Sequence, residues 1–211
     1  MADFLKAREA MVALVAARGV GDEQLLQAMR EVPRELFVPP HMQDFAHDDA
    51  PLSIGEGQTI SQPAIAAMMI EAAAVGPDAR VLEIGAGSGY VVAVLGSIAR
   101  NVHAIERHRS LGEAAAERLA RLGYTNAEIR VGDGTRGWPD AAPFDAIIVS
   151  AAAAAVPDEI RRQLAIGGRL IIPVDEDIRG QVLQRITRRG DEEFDVETLA
   201  KVQFVPLIAE G

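Results

Sequence analysis

The sequence predicts an α/β fold: a doubly wound, mostly parallel sheet with helices on both faces, an antiparallel edge and an N-terminal helical extension. Three observations carry this. Short apolar runs alternate with segments of helical period from Arg80 to Val174. The glycine loop Gly85-x-Gly87-x-Gly89 separates the first of those runs from a helical segment. Two later runs, QVLQRIT (181–187) and VQFVPL (202–207), follow with no clear helix between them. Parallel neighbours need a long crossover, so these two fit an antiparallel edge.

The elements follow in order. Phe4, Ala7, Met11, Leu14 and Val15 recur at helical spacing. A second helix starts at Asp22, a good N-cap, and stops before Pro33. Residues 32–60 are rich in proline and glycine and read as loop. Ser61 is placed to cap a helix running from Pro63 to about Ala74. VLEI (81–84), NVHAI (101–105), AEIRV (127–131), FDAIIV (144–149) and RLIIPV (169–174) read as strands. Helices are expected at 89–99, 110–122 and 156–164, the last ended by Gly167-Gly168. Residues 151–155 are a run of alanines that suits a helix start or tight packing.

The 211 residues suit one domain, read as 1–62 extension and acceptor-side loop, 63–175 ligand-binding core and 176–211 C-terminal strands. The formal net charge of −10 disfavours nucleic acid and anionic membrane surfaces as partners. There is no cysteine, so disulfides and thiolate metal sites are excluded. Asp3, Lys6, Arg8 and Glu9 interrupt any signal-peptide core, and no apolar run spans a bilayer. A cytoplasmic monomer is expected.

Ligand-binding residues cluster at the strand ends. Glycine at 85, 87 and 89 lets backbone approach a ligand. Glu106 ends the second strand, 21 positions after Gly85 (106 − 85), where a carboxylate meets a ribose. Asp133, in Gly132-Asp133-Gly134, follows the third strand into the same crevice. Glu83 lies two residues before the first glycine. A dinucleotide fingerprint requires a small residue at the position of Tyr90. The glycine spacing with Glu83 instead resembles the class I methyltransferase signature, which implies S-adenosyl-L-methionine as cofactor, S-adenosyl-L-homocysteine as product and a Rossmann-like methyltransferase sheet.

IGEGQTISQP (54–63), VLEIGAGSGY (81–90), VGDGTRGWP (131–139), APFDAIIVSAAAAAVP (142–157), IGGRLIIPV (166–174) and VQFVPL (202–207) together resemble the protein-L-isoaspartate O-methyltransferase family. The resemblance is collinear over roughly residues 30 to 207. It implies carboxyl methylation of L-isoaspartyl residues in damaged proteins, which are then repaired through a succinimide. By matching motif, Thr59, Ile60 and Ser61 form the loop over cofactor and acceptor, and Ser61 matches the active-site serine. Glu83, Gly85, Gly87 and Gly89 meet the methionine end, Glu106 the ribose, and Asp133 and Gly134 the adenine, with Ala86 and Arg107 also among the cofactor-binding residues. Gln58, Ser61 and Val205 fall near the acceptor peptide. The chain departs from the family pattern at Glu56, Ala64 and Ala154, and in the residues after Leu207. Two other readings share the cofactor: a different carboxylate acceptor, or a binding protein without catalysis.

Other polar residues have plainer readings. His41, His47, His103 and His108 lack metal-ligand spacing, so no metal site is expected. Asp175-Glu176-Asp177 reads as a solvated acidic turn, and Glu192, Glu193 and Asp195 as a charged surface loop. Trp138 is expected to pack its loop, and Met68 and Met69 to join the core.

Overall fold

The computed structural model describes residues 3–176 and 180–209. The sheet has seven strands: β3 (Arg80–Ile84), β4 (Asn101–Glu106), β5 (Ala127–Val131), β6 (Phe144–Val149), β7 (Leu164–Asp175), β8 (Gln181–Arg188) and β9 (Phe194–Val202). Their spatial order is β5-β4-β3-β6-β7-β8-β9. The pairs from β5 through β7 are parallel, while β7–β8 and β8–β9 are antiparallel. The predicted fold class holds. β3, in the middle, alternates its side chains between the two faces. Val81 joins the core beneath α1 (Phe4–Ala17), α2 (Glu23–Glu31), α3 (Pro63–Ala73) and α4 (Tyr90–Gly96). Leu82 and Ile84 join the core on the other face, with Phe144, Trp138 and Ile160 of the short α6 (Asp158–Arg161). α5 (Arg109–Arg121) follows β4. No helix among the described residues is long and apolar enough to cross a membrane.

Several expectations are corrected. The stretch 32–60 carries a hairpin, β1 (Leu52–Gly55) and β2 (Gln58–Ile60), and two 3₁₀ turns, Arg34–Phe37 and Pro40–Phe45. Gly55, Glu56 and Gly57 all have positive φ, the backbone a tight hairpin turn needs, and that chemistry was readable as Gly-x-Gly. α6 stops at Arg161, and Gly167-Gly168 lies inside β7 at an irregularity opposite β6 rather than ending a helix. The last strand is Phe194–Val202, not 202–207. Asp195 pairs with Thr187 in it and so lies on an edge strand with exposed side chains, a common protection of sheet edges, while Glu192 and Glu193 lie in the loop before it, as expected. Beyond Val202, the end of β9, the segment forms an isolated bridge from Pro206 to Ala152, in the stretch that follows β6. In α1 the buried residues are Arg8, Met11, Val12 and Val15, while Leu14 is exposed. Asp177, Glu210 and Gly211 lie outside the described residues.

The helical extension is fastened by charge. Arg8 Nη2 meets Glu35 Oε1 at 2.8 Å, and Glu35 Oε2 faces His47 Nε2 at 3.3 Å, all three nearly buried. Arg8 Nη1 also donates to Arg30 O, at the C-terminal end of α2. Removing Glu35 leaves a guanidinium buried without its counter-charge. Glu35→Ala is expected to lower unfolding free energy by about 3 kcal/mol, read by urea denaturation; a loss under about 1 kcal/mol rejects this account.

Candidate active site

The C-terminal ends of β3, β4 and β6 open on one edge, where open parallel sheets bind ligands. The glycine loop after β3 is tied to β4 by its backbone. Gly85 N and Ala86 N both donate to Ile105 O, at 2.8 and 3.1 Å. Gly87 N donates to Glu106 Oε2 at 2.8 Å, and His108 N to Glu106 Oε1 at 2.8 Å. Each Glu106 oxygen keeps lone-pair capacity for a further donor. Gly87 needs its φ of +53° and its missing Cβ, because the Ile54 methyl of the hairpin would stand 3.2 Å from one. Arg118 Nη1 holds the loop from α5 through Ser88 O at 2.8 Å.

These elements line one cavity at the strand ends. Gln58, Thr59, Ile60 and Ser61 roof it, Glu83, Gly85, Ala86 and Gly87 form one wall, and Glu106, Arg107, Gly134 and Val205 complete it. Two predicted residues do not line it. Gly89 instead starts α4, with φ +85° and Ala115 packed against it. Asp133 lines an adjoining depression that shares Ile105 with the cavity, and its Oδ1 accepts from the Thr135 amide and hydroxyl. Glu83 is 1% exposed. Ser150 Oγ donates to its Oε1 at 3.1 Å, and its Oε2 has no hydrogen-bond partner. Burial pushes the Glu83 carboxyl well above the usual range; the Ser150 bond opposes this and the Glu106 charge adds to it.

A second groove meets the cavity along a seam of Thr59, Ser61, Ser150 and Val205, and continues past Pro51, Gln62, Ile65, Lys201 and Phe204. Gln58 lines the cavity and not this groove; its side-chain amide donates to Glu56 O. The roof is fastened at its tip, where Ser110 Oγ donates to Glu56 Oε1 at 2.6 Å.

A family profile described as protein-L-isoaspartate(D-aspartate) O-methyltransferase matches residues 6–211. The chain belongs to the protein-L-isoaspartate(D-aspartate) O-methyltransferase family. The chain is 54% identical to protein-L-isoaspartate O-methyltransferase 1 of Rhodopseudomonas palustris (strain HaA2), over 98% of this chain and 85% of that one. It is 55% identical to the protein-L-isoaspartate O-methyltransferase of Methylorubrum populi, over 99% and 97%. A solved protein-L-isoaspartate O-methyltransferase superposes with TM-score 0.86 at 30% identity, over 97% of this chain and 66% of that one. A Plasmodium falciparum member of the same description, in complex with S-adenosyl-L-homocysteine, superposes with TM-score 0.83 at 26% identity, over 95% and 98%.

Ser150, Tyr90 and His108 also line the cavity of this family member and were not predicted. Ser150 was findable, since it stands one residue past a central strand. The expected N-cap role of Ser61 is not realised. The residue preceding α3 is Gln62, and no side chain of its own caps the helix. Asp49, fifteen positions before Ala64 (64 − 49), does so: Oδ1 accepts from Ala64 N at 3.1 Å, and Oδ2 from Gln62 Nε2 at 2.8 Å. Arg18 Nη2 reaches the same carboxylate at 2.7 Å. The Ser61 hydroxyl is therefore not committed to the helix. Trp138, at 6% exposure, packs in the core, where His103 meets its ring edge-on. Asp49→Ala is expected to cost about 1–2 kcal/mol in urea denaturation and Ser61→Ala under about 0.5 kcal/mol; the reverse ranking would return the cap to Ser61.

Proposed function

We propose that this chain is an S-adenosyl-L-methionine-dependent carboxyl O-methyltransferase that methylates the α-carboxylate of L-isoaspartyl residues in damaged proteins. The observation that carries the reading is the seam. A cavity with two carboxylates and a glycine loop meets an open groove at Thr59 and Ser61, as transfer between a bound cofactor and a peptide requires. Family membership and the relatives' names support the same activity. We read the chain as one catalytic unit, 1–62 serving the acceptor loop, 63–175 the cofactor and 176–211 the groove wall. We read the chain as a cytoplasmic monomer; its acidic balance disfavours nucleic-acid partners, and the absence of cysteine fits a reducing compartment.

The residues present fit the cofactor. The unpartnered Glu83 Oε2 suits a cationic ligand group, and Glu106, already held by two amides, suits ribose hydroxyls. Gly85, Ala86, Gly87 and Arg107 line the same space, and Gly134 leaves room that a Cβ would close against Ile84. Gly89 acts through the helix start, and Asp133 from the adjoining depression. When bound, S-adenosyl-L-methionine supplies a methyl group activated by a cationic sulfur.

An isoaspartyl α-carboxylate has a pKa near ~3.5, so it is ionised at neutral pH and needs no general base. The protein's task is orientation. Reaction demands atoms near ~3 Å and in line, and misplacement of ~1 Å costs about 100-fold. Ser61 on the seam donates a hydrogen bond to one carboxylate oxygen, leaving the other to attack. Thr59 and Ile60 exclude water above it, and Gln58 and Val205 bound the acceptor side.

Labelled cofactor with an isoaspartyl peptide and its aspartyl twin tests the activity. Base-labile label on the isoaspartyl peptide alone is expected; binding without such label removes the proposal. Ser61→Ala is expected to lower kcat about 10- to 100-fold with little change in cofactor affinity. Unchanged turnover would show that Ser61 orients nothing.

Proton linkage gives a further check. Burial disfavours the Glu83 carboxylate in the free protein and a bound cation favours it, so cofactor binding is linked to proton release at this group. Cofactor affinity by calorimetry should rise as pH increases from the ordinary carboxylate range toward neutrality, below the titration of the ligand's own amine. Glu83→Gln should weaken binding and flatten the slope; a pH-independent wild type would contradict the assignment.

A further inference from the structure

One charged residue outside both cavities joins the acceptor loop to the cofactor wall. Arg34 opens the first 3₁₀ turn and is fully buried. Its Nη2 donates to Ser61 O at 2.8 Å, and its Nε to Ala46 O at 2.7 Å. Its guanidinium carbon lies 4.5 Å from the centroid of the Tyr90 ring. Tyr90 is the first residue of α4, 2% exposed, and its other neighbours include Phe37 of the same turn, ring edge toward it at 5.7 Å. A single cation thus touches the peptide of Ser61 on one side and the helix that begins at the glycine loop on the other.

Packing alone does not explain an arginine here. Its two acceptors are neutral carbonyls, and burying a guanidinium among them costs more than burying an apolar side chain of similar volume. Burial accordingly draws its pKa down, against the pull of Tyr90 and Asp49. What the guanidinium adds is direction. Its planar fork holds two carbonyls while its carbon lies over the Tyr90 ring, which neither a lysine nor an aliphatic chain reproduces. The Ser61 carbonyl is so fixed relative to Tyr90, and with it the hydroxyl on the same residue.

We propose that Arg34 is a positioning residue for methyl transfer, acting through Ser61. It locks the Ser61 peptide against the Tyr90 wall so that the hydroxyl is held on the seam between cofactor and acceptor. This rests on the function proposed above. Wild-type activity on the isoaspartyl peptide is measured first, since its absence overturns that reading rather than the role of Arg34.

The test is a double-mutant cycle in the full chain. Arg34→Lys and Arg34→Gln are expected to lower kcat about 10- to 100-fold while S-adenosyl-L-homocysteine affinity changes less than about threefold. In a Ser61→Ala background the same substitutions are expected to change kcat less than about threefold, because the group they position is gone. Additive losses, or a kcat loss matched by an equal loss of product affinity, overturn the proposal in favour of a structural role. Unchanged kcat in folded Arg34→Lys overturns it outright. Circular dichroism and thermal denaturation establish which variants fold, and the lysine variant, which keeps the charge, carries the cycle if the glutamine variant does not.

Discussion

The site depends on the exchange between the glycine loop and the end of β4. Three successive amides, from Gly85, Ala86 and Gly87, turn toward Ile105 O and the Glu106 carboxylate. Those bonds continue the parallel ladder past the point where β3 stops being a strand. They fix the loop without using any side chain of its own, so its surface stays open to a ligand. They also bring Glu106 under the loop, where its position is set by two amides rather than by a flexible stem. A parallel sheet makes this possible because β3 and β4 end on the same edge.

The acceptor side is built differently, from segments distant in sequence. The β1–β2 hairpin lays Thr59 and Ile60 over the cavity, and its tip is pinned to α5 by Glu56 and Ser110. Asp49 sets the start of α3 and binds Gln62, so it defines where the hairpin's exit strand must stop. Behind it the buried set of Arg8, Glu35 and His47 anchors the helical extension. No described residue before Pro51 lines either the cavity or the groove. The extension therefore supports the loop and does not cover the site.

How much of this the sequence shows follows from how local each cause is. The strands, the glycine loop and the carboxylate after β4 are written in alternation and spacing over a few residues, and the structure reproduces them. Gly134 was legible by its place past β5, and Ser150 by its place past β6. Asp49 as the cap of α3 was not, because Ser61 satisfied the local rule equally well and only long-range geometry decides between them. β9 was hidden by its charge: Asp195 reads as loop, yet an edge strand with exposed side chains carries such residues freely. VQFVPL misled in the opposite sense, its apolar side chains serving the groove rather than a ladder.

Charge is divided along the direction in which the methyl group must travel. The cavity holds the carboxylates of Glu83 and Glu106, suited to a cationic cofactor. Among the described residues no carboxylate lines the groove, and Lys201 stands in its wall. In a chain with a net charge of −10 this separation matters. An anionic acceptor approaching the cavity directly would be repelled, whereas the groove admits it up to the seam. Desolvation at the seam then costs least if the carboxylate trades water for a fixed donor, and a serine supplies one without neutralising the attacking oxygen. A general base there would add nothing, since the proton is already gone. The same reasoning accounts for a site with two buried acids on the cofactor side and, among the described polar side chains of the groove, only hydroxyls, two amides and Lys201 on the other.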